Sequence, residues 1–336
     1  MAPMTRNRAN PDGSASALMA EHYAQRAGAG LIITEMTVVS ASGIAYLNAP
    51  GLYNKAQAES WRPLTAKVHK AGGLIVAQLA HSGRISHPSL LPGQLTPVAP
   101  SPIKPAGHVY TPTGPQPYVT PRALQSSEIA SIVDEFAASA RLAFDAGFDG
   151  VELHAANGYL LDQFLRDATN RRDDEYGGPA ANRFRFLHEA VNAVASVWGT
   201  GRIGVRISPF NPYNDMADSH LELTFTLLAD ELSKLGLAYL HVVEPVGGAA
   251  PRLTPELRRR FHGPLIANGG FDLASAENAL QQGEADAVSF GVPFIANPDL
   301  PARFARNLPL SAPDPDTFYL GGARGYIDYP AYISAA

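Results

Sequence analysis

The chain has 336 residues, 46% of them hydrophobic, enough to bury a large core as one barrel or two modest domains. Its formal net charge of −5 and pI near 6.1 supply no basic field for nucleic acid or another polyanion. The absence of cysteine excludes disulfides, thiolate catalysis, cysteine-ligated zinc and iron–sulfur clusters.

In chain order, the opening Met1-Ala2-Pro3-Met4 reads as the last residues of a strand. Apolar, β-rich runs then recur at 31–36 (LIITEM), 74–79 (LIVAQL), 150–154 (GVELH), 203–208 (IGVRIS), 237–243 (LAYLHVV), 264–270 (PLIANGG) and 285–291 (ADAVSFG). Continuous apolar strands mark a parallel sheet covered on both faces. Amphipathic stretches at 127–148 and 221–236 lie between them, the first opened by a Ser-Ser-Glu stretch suited to capping a helix. Arg258-Arg259-Arg260 falls at a helix end, where cations complement the dipole. The βα alternation predicts an α/β fold, a single (β/α)8 TIM barrel spanning 1–336. A doubly wound sheet is the rival, weakened because no G-x-G-x-x-G follows the first strand. From His81 to about Arg122 the chain carries ten prolines and little periodicity. A βα loop this long suits a lid or wall near a site as well as a packed surface excursion.

No apolar run reaches the roughly 20 residues that span a bilayer, and no signal-peptide pattern opens the chain. A soluble, cytoplasmic protein is expected.

Barrels gather functional groups at the C-terminal ends of their strands. Here those ends hold Gln78 and His81, then His154, Asn157 and Tyr159, then Arg206, Asn268-Gly269-Gly270 and Gly291. The glycines suit a phosphate bound by backbone N–H groups, although plain turn chemistry also uses glycine. His154 and Asn157 are three apart, and a helical turn would put both on one side with the Tyr159 phenol beyond. Two donors converging on a carbonyl oxygen and a phenol delivering a proton is one reading. The other is that the histidine and asparagine cap the next helix while Tyr159 packs. Arg206, inside an apolar run, needs an anionic partner, either a protein carboxylate or a cofactor that becomes anionic. No H-E-x-x-H or G-x-S-x-G supports a metalloprotease or an α/β-hydrolase.

MAPMTR, QLAHSGR, ELHAANGYLLDQFL with TNRRDDEYGG, VRISP, ANGGF, FIANPDL and GYIDYP, in that order, resemble the Old Yellow Enzyme family of flavin-dependent ene-reductases. The resemblance implies non-covalent FMN, with NADPH as reductant and an activated C=C bond in a small electrophilic alkene as substrate. It implies that Thr5, Gln78 and Arg206 contact the flavin, with Pro3 and Met4 packing there, and that Gly269, Gly270 and Gly291 hold the phosphate. His154 and Asn157 would bind the substrate carbonyl, Tyr159 would protonate the α-carbon after hydride reaches the β-carbon, and Tyr319 would stand at the substrate mouth. The NRRDDEYGG stretch would be scaffold.

Four departures accompany the resemblance. Family members carry about two dozen residues before the MAPMTR motif, so strand one is expected to be truncated and the barrel seam open. Val292 stands where an arginine commonly meets the phosphate, a loss of about 1.5–3 kcal/mol of affinity. Ala80 replaces a frequent tryptophan, implying a roomier cavity, and Met36 stands at the flavin edge where smaller residues are frequent. Two alternatives stay open: a flavin-free barrel lyase or isomerase with a phosphate site, and a non-catalytic remnant that no longer binds FMN. The residues leave physiological substrate, stereochemistry, NADPH or NADH preference and oligomeric state undefined.

Overall fold

The computed structural model describes residues 1–244 and 252–332. Its strands are β1 (Ile32–Ile33), β2 (Thr37–Val38), β3 (Ile75–Ala80), β4 (Val98–Ala99), β5 (His108–Thr111), β6 (Gly114–Pro117), β7 (Arg122–Ala123), β8 (Gly150–Ala155), β9 (Ile203–Ile207), β10 (Tyr239–Val243), β11 (Leu265–Asn268) and β12 (Ala287–Ser289). The sheet runs β1-β3-β8-β9-β10-β11-β12, with β2 also on β3, and these pairs are all parallel. This is the curled, doubly covered sheet of a TIM barrel. Every residue of β3, β8 and β9 is buried, which is why those strands read as apolar runs interrupted only by Gln78, Glu152, His154 and Arg206.

Two expectations need correction. The run 31–36 is not one strand, because β1 stops at Ile33 and β2 resumes at Thr37. Thr34 Oγ1 accepts from Gln78 N at 3.0 Å and Glu35 N donates to Tyr23 Oη at 2.9 Å, so side chains replace ladder bonds over the gap. The seam is also not left open. Met1 N donates to Leu31 O at 2.7 Å and Ile33 N to Met1 O at 3.1 Å, while on the other side Ala2 N donates to Phe290 O at 2.9 Å. Residues 1 and 2 thus stand between β1 and the end of β12, as the last residues of a strand would.

The helices are α1 (Ala17–Gln25), α2 (Lys55–Lys70), α3 (Ser126–Asp145), α4 (Leu160–Leu165), α5 (Ala180–Arg183), α6 (Arg185–Trp198), α7 (Leu221–Ser233), α8 (Thr254–Arg260), α9 (Leu273–Gln281), α10 (Val292–Ala296) and α11 (Leu300–Ala305). In α3 the buried Ile129, Ile132, Phe136, Ala140 and Ala143 follow the three-and-four spacing of one apolar face. Its start differs from expectation: Ser126 and Ser127 lie inside the first turn, and Glu128 reaches back to Gln125 N at 2.8 Å. The arginines ending α8 are paired, Arg258 with Asp286, Arg259 with Glu256, and Arg260 with Asp230 and Glu256.

The proline-rich segment 81–122 forms the β5–β6 hairpin and the small parallel β4–β7 pair. Val109 and Tyr118 from it pack with Met36, Ala80 and Tyr159 above the sheet. In the stretch 169–178, Arg172 pairs with Asp174 and donates to the carbonyls of Pro100 and Leu124, tying this turn to the loop.

At the N-terminal side, Arg6 and Arg8 lie on the Tyr326 ring, with Cζ 5.1 and 5.0 Å from its centroid. Arg6 donates to the carbonyls of Thr317, Phe318 and Gly325, and Arg8 to those of Thr317, Phe318 and Leu320. Below them Glu35 accepts from Arg6 N, and burial lifts its carboxyl to about 7.

Beneath the candidate site, α4 carries a fully buried ion pair, Arg166 Nε to Asp162 Oδ1 at 2.8 Å. Arg166 also donates to the carbonyls of Ser208 and Pro209, and Asp162 accepts from Gly158 N. Replacing Asp162 with alanine leaves a buried guanidinium uncompensated and is expected to cost about 3–5 kcal/mol, read from denaturant unfolding.

Candidate active site

The site begins with strand register. His154 on β8 faces Arg206 on β9, and Arg206 faces His241 on β10, so three side chains leave neighbouring strands at one level and in one direction. Two strand residues closer to the barrel floor, Glu152 aligns with Gln78. Gln78 Nε2 donates to Glu152 Oε1 at 2.8 Å, Glu152 Oε2 lies 2.9 Å from His241 Nδ1, and His241 Nε2 lies 2.8 Å from Ser289 Oγ. Burial opposes the charge on Glu152, but His241, Arg206 and Gln78 together hold its carboxyl below the usual range. Burial also lowers His241, so the line is a carboxylate accepting from a neutral imidazole and an amide.

Arg206 answers the question its sequence raised in an unexpected way. Its Nη2 donates to Asn268 Oδ1 at 3.0 Å, and Asn268 Nδ2 donates in turn to Ser289 O at 2.8 Å. Among the described residues no carboxylate is bonded to it directly. Burial lowers its guanidinium to about 10, the Glu152 charge opposing that shift, so it stays cationic near neutral pH. Among the described residues its buried Nε has no hydrogen-bond partner. The same holds for His154 Nδ1, and burial, with the charge of Arg206 beside it, keeps that imidazole neutral.

Asn157 reaches the site by a different geometry from the helical turn expected. His154 is still on the strand, and the chain turns at Asn157 in the left-handed region, φ 58°. Asparagine tolerates that conformation better than most side chains. The turn is held at five points: Asn157 N donates to Ser208 Oγ at 2.7 Å, Asn214 Nδ2 donates to Asn157 O at 2.7 Å, Asn211 Nδ2 donates to Asn157 Oδ1 at 2.9 Å, Gly158 N donates to Asp162 Oδ2 at 2.8 Å, and Gln163 Nε2 donates to Gly158 O at 2.7 Å. The Asn157 side chain is half-buried and its amide nitrogen is left for another acceptor.

Tyr159 is 5% exposed, its ring edge-on to His154 with centroids 4.9 Å apart. Its hydroxyl lies 2.7 Å from that of Tyr46. Burial pushes the Tyr159 phenol well up, with Tyr213, Tyr118 and Tyr319 adding to the shift, so it is a protonated donor across the ordinary pH range. Met36 and Ala80 belong to the same packed cluster. Tyr319, 58% exposed beside Phe318, sits in the segment gripped by Arg6 and Arg8.

Of the other expected residues, Pro3 is buried, Met4 and Thr5 are half-buried, and the Met4 side chain borders Gly291. His81 is committed to its own turn: Nδ1 accepts from Gly83 N, Nε2 lies 3.1 Å from Ser42 Oγ, and burial lowers it to about 4. Gly269 (φ 126°) and Gly270 (φ 68°) need glycine for backbone reasons. Gly291 does not, since its φ is −98° and a Cβ there would meet only Met4 at ordinary contact distance. Val292 opens α10 and is 51% exposed.

Sequence reasoning missed Tyr46, the Glu152–His241 line and the Asn211–Asn214 support. Tyr46 sits in an irregular segment with no periodic or motif signal. A buried glutamate inside GVELH and a histidine inside LAYLHVV were the available signs of the line, charged or polar groups where a doubly covered strand should be apolar.

Residues 1–311 match the NADH:flavin oxidoreductase / NADH oxidase family. A probable flavin mononucleotide-dependent alkene reductase of Leishmania infantum is 42% identical over 98% of this chain and 92% of its own length. The old yellow enzyme homologue of Zymomonas mobilis superposes with a TM-score of 0.96 at 45% identity, over 99% of this chain and 95% of that one. Morphinone reductase, solved in complex with tetrahydroNAD, gives 0.95 at 45% identity, over 99% and 93%.

Gly269→Ala tests the strand-end geometry directly, because its Cβ would fall 2.0 Å from Glu244 O at a φ that side chains rarely adopt. A loss of about 2 kcal/mol or more is expected in an unfolding titration.

Proposed function

The chain belongs to the Old Yellow Enzyme family and is an FMN-dependent alkene reductase; from that premise we propose that it reduces the activated C=C bond of enones, enals, maleimides and nitroalkenes, with NADPH as the electron source. The observation that carries the reading is the pair of unsatisfied buried groups on adjacent strands, His154 Nδ1 and Arg206 Nε, beside a protonated phenol. Buried polar groups are ordinarily paired, so two orphans at one level of a barrel mouth fit a ligand that completes them. Morphinone reductase in complex with tetrahydroNAD supports a nicotinamide nucleotide as the reductant. The flavin-free lyase and the non-catalytic remnant have no support in the comparisons.

The residues present fit FMN. Arg206 is a permanent cation in a water-poor interior, suited to an isoalloxazine that becomes anionic when reduced. Thr5, Gln78, Pro3 and Met4 supply the edge and packing contacts, and Met36 lies among the residues packed at the mouth. Gly269, Gly270 and Gly291 offer backbone N–H groups to a phosphate, with Gly291 open to close approach. Val292 adds no cation there. FMN, once bound, supplies the hydride donor for the alkene.

On the substrate side, the neutral His154 imidazole and the free amide nitrogen of Asn157 serve as donors to a carbonyl or nitro oxygen, which withdraws electrons from the β-carbon. A neutral histidine is the better partner here because it polarises without placing a second cation beside Arg206. Tyr159 delivers its proton to the α-carbon. Ala80 leaves room beside it, and Tyr319 borders the entrance.

The purified protein incubated with FMN is expected to show flavin absorbance and to oxidise NADPH only when 2-cyclohexenone or N-phenylmaleimide is present. Protein that stays colourless, or oxidises NADPH equally without alkene, counts against the reading. Tyr159→Phe is expected to slow reoxidation of the reduced enzyme by 2-cyclohexenone about 10²-fold while NADPH still reduces it at the original rate. Arg206→Ala removes a charge-assisted contact of about 1.5–3 kcal/mol and should weaken FMN binding by roughly tenfold or more, measured by flavin fluorescence titration.

A further inference from the structure

The Tyr46 hydroxyl lies 2.7 Å from that of Tyr159. Among the described residues no other side chain or backbone group bonds to the Tyr159 hydroxyl. Tyr159 is almost wholly buried, whereas Tyr46 is half-buried and so keeps some contact with solvent.

Two consequences follow from elementary chemistry. A phenol hydroxyl has one hydrogen, so if Tyr159 is to aim that hydrogen at a substrate carbon, Tyr46 must be the donor in the pair. When the transfer occurs, the Tyr159 O–H bond breaks, a C–H bond forms at the α-carbon, and the electron pair stays on Tyr159 as a phenolate. An unpaired phenolate in that packed cluster would be costly. The Tyr46 hydroxyl is already in place to donate its hydrogen to that phenolate oxygen.

We propose that Tyr46 is a positioning residue for Tyr159: it orients the Tyr159 hydrogen toward the substrate, stabilises the phenolate left behind, and hands on the proton from water that restores Tyr159. This rests on the reading of Tyr159 as the proton donor. Of the influences on the Tyr159 phenol, burial and the neighbouring tyrosines Tyr213, Tyr118 and Tyr319 push it up, and the hydrogen bond from Tyr46 pulls it down. The alternative role, an aromatic wall for the substrate, needs the ring but not its hydroxyl.

The test separates the two half-reactions of the FMN-loaded enzyme by stopped flow. Tyr46→Phe keeps the ring and should slow reoxidation by 2-cyclohexenone at least fivefold, leave reduction by NADPH within twofold, and leave the dissociation constant of 2-cyclohexenone for the oxidised enzyme within twofold. In a Tyr159→Phe background the same substitution should add less than twofold. Tyr46→Gln, which returns a donor, should recover part of the lost rate. Reoxidation slowed less than fivefold by Tyr46→Phe, or an equal slowing in the Tyr159→Phe background, would overturn the proposal. If Tyr159→Phe itself leaves reoxidation unchanged, the proton-donor reading falls and this inference with it. If Tyr159→Phe slows it and Tyr46→Phe does not, only the inference falls.

Discussion

A guanidinium in the middle of a parallel barrel has to be neutralised without water, and much of the interior is organised around that requirement. Arg206 cannot leave its strand, because the apolar residues around it fix β9 in the sheet. The compensating charge is Glu152, one strand away and nearer the floor, kept ionised by Gln78 and His241 rather than by a direct bond to the arginine. Because the carboxylate is held back by its own partners, one edge of the guanidinium remains available at the mouth. A directly salt-bridged Arg206 would be electrostatically quiet, and an isolated one would be too costly to bury. The arrangement lies between those limits, as the anionic ring proposed for this site would require.

The second layer is geometric. His154 is placed by strand register, but Asn157 and Tyr159 depend on a turn whose backbone groups at Asn157 and Gly158 all find partners from the exit loop of β9 or from α4. Asp162 and Arg166 serve this turn as much as they serve stability, since the same carboxylate that pairs with Arg166 accepts from Gly158 N. Rigid supports of this kind are what a reaction needs when donor and acceptor must meet within a fraction of an ångström.

β3, β8, β9 and β10 were legible as mainly apolar runs, and each lies within a residue or two of its expected limits. The run 31–36 misled because Thr34 and Glu35 look like ordinary strand positions until the side-chain bonds that interrupt the ladder are known. His154 and Asn157 were identified as residues, but their spacing suggested a helical turn, whereas the pair spans a strand end and a left-handed asparagine. Tyr46 was invisible for a plainer reason. It meets Tyr159 across 113 positions of chain, and nothing in its own neighbourhood encodes that distance. The glycines proposed for a phosphate were ambiguous in sequence and are distinguished by conformation, Gly269 and Gly270 being forced by backbone and Gly291 being free.

The grip of Arg6 and Arg8 on the carbonyls of Thr317, Phe318 and Leu320 bears on how this molecule comes into being. These contacts join positions more than three hundred residues apart, so ring closure there carries a large entropic penalty that only a nearly complete barrel can offset. Arg6 and Arg8 therefore stay without these acceptors until the barrel between them has been made and packed. The segment bearing Tyr319 is expected to be among the last parts of the barrel to set, its docking the step that follows closure of the sheet rather than one that nucleates it.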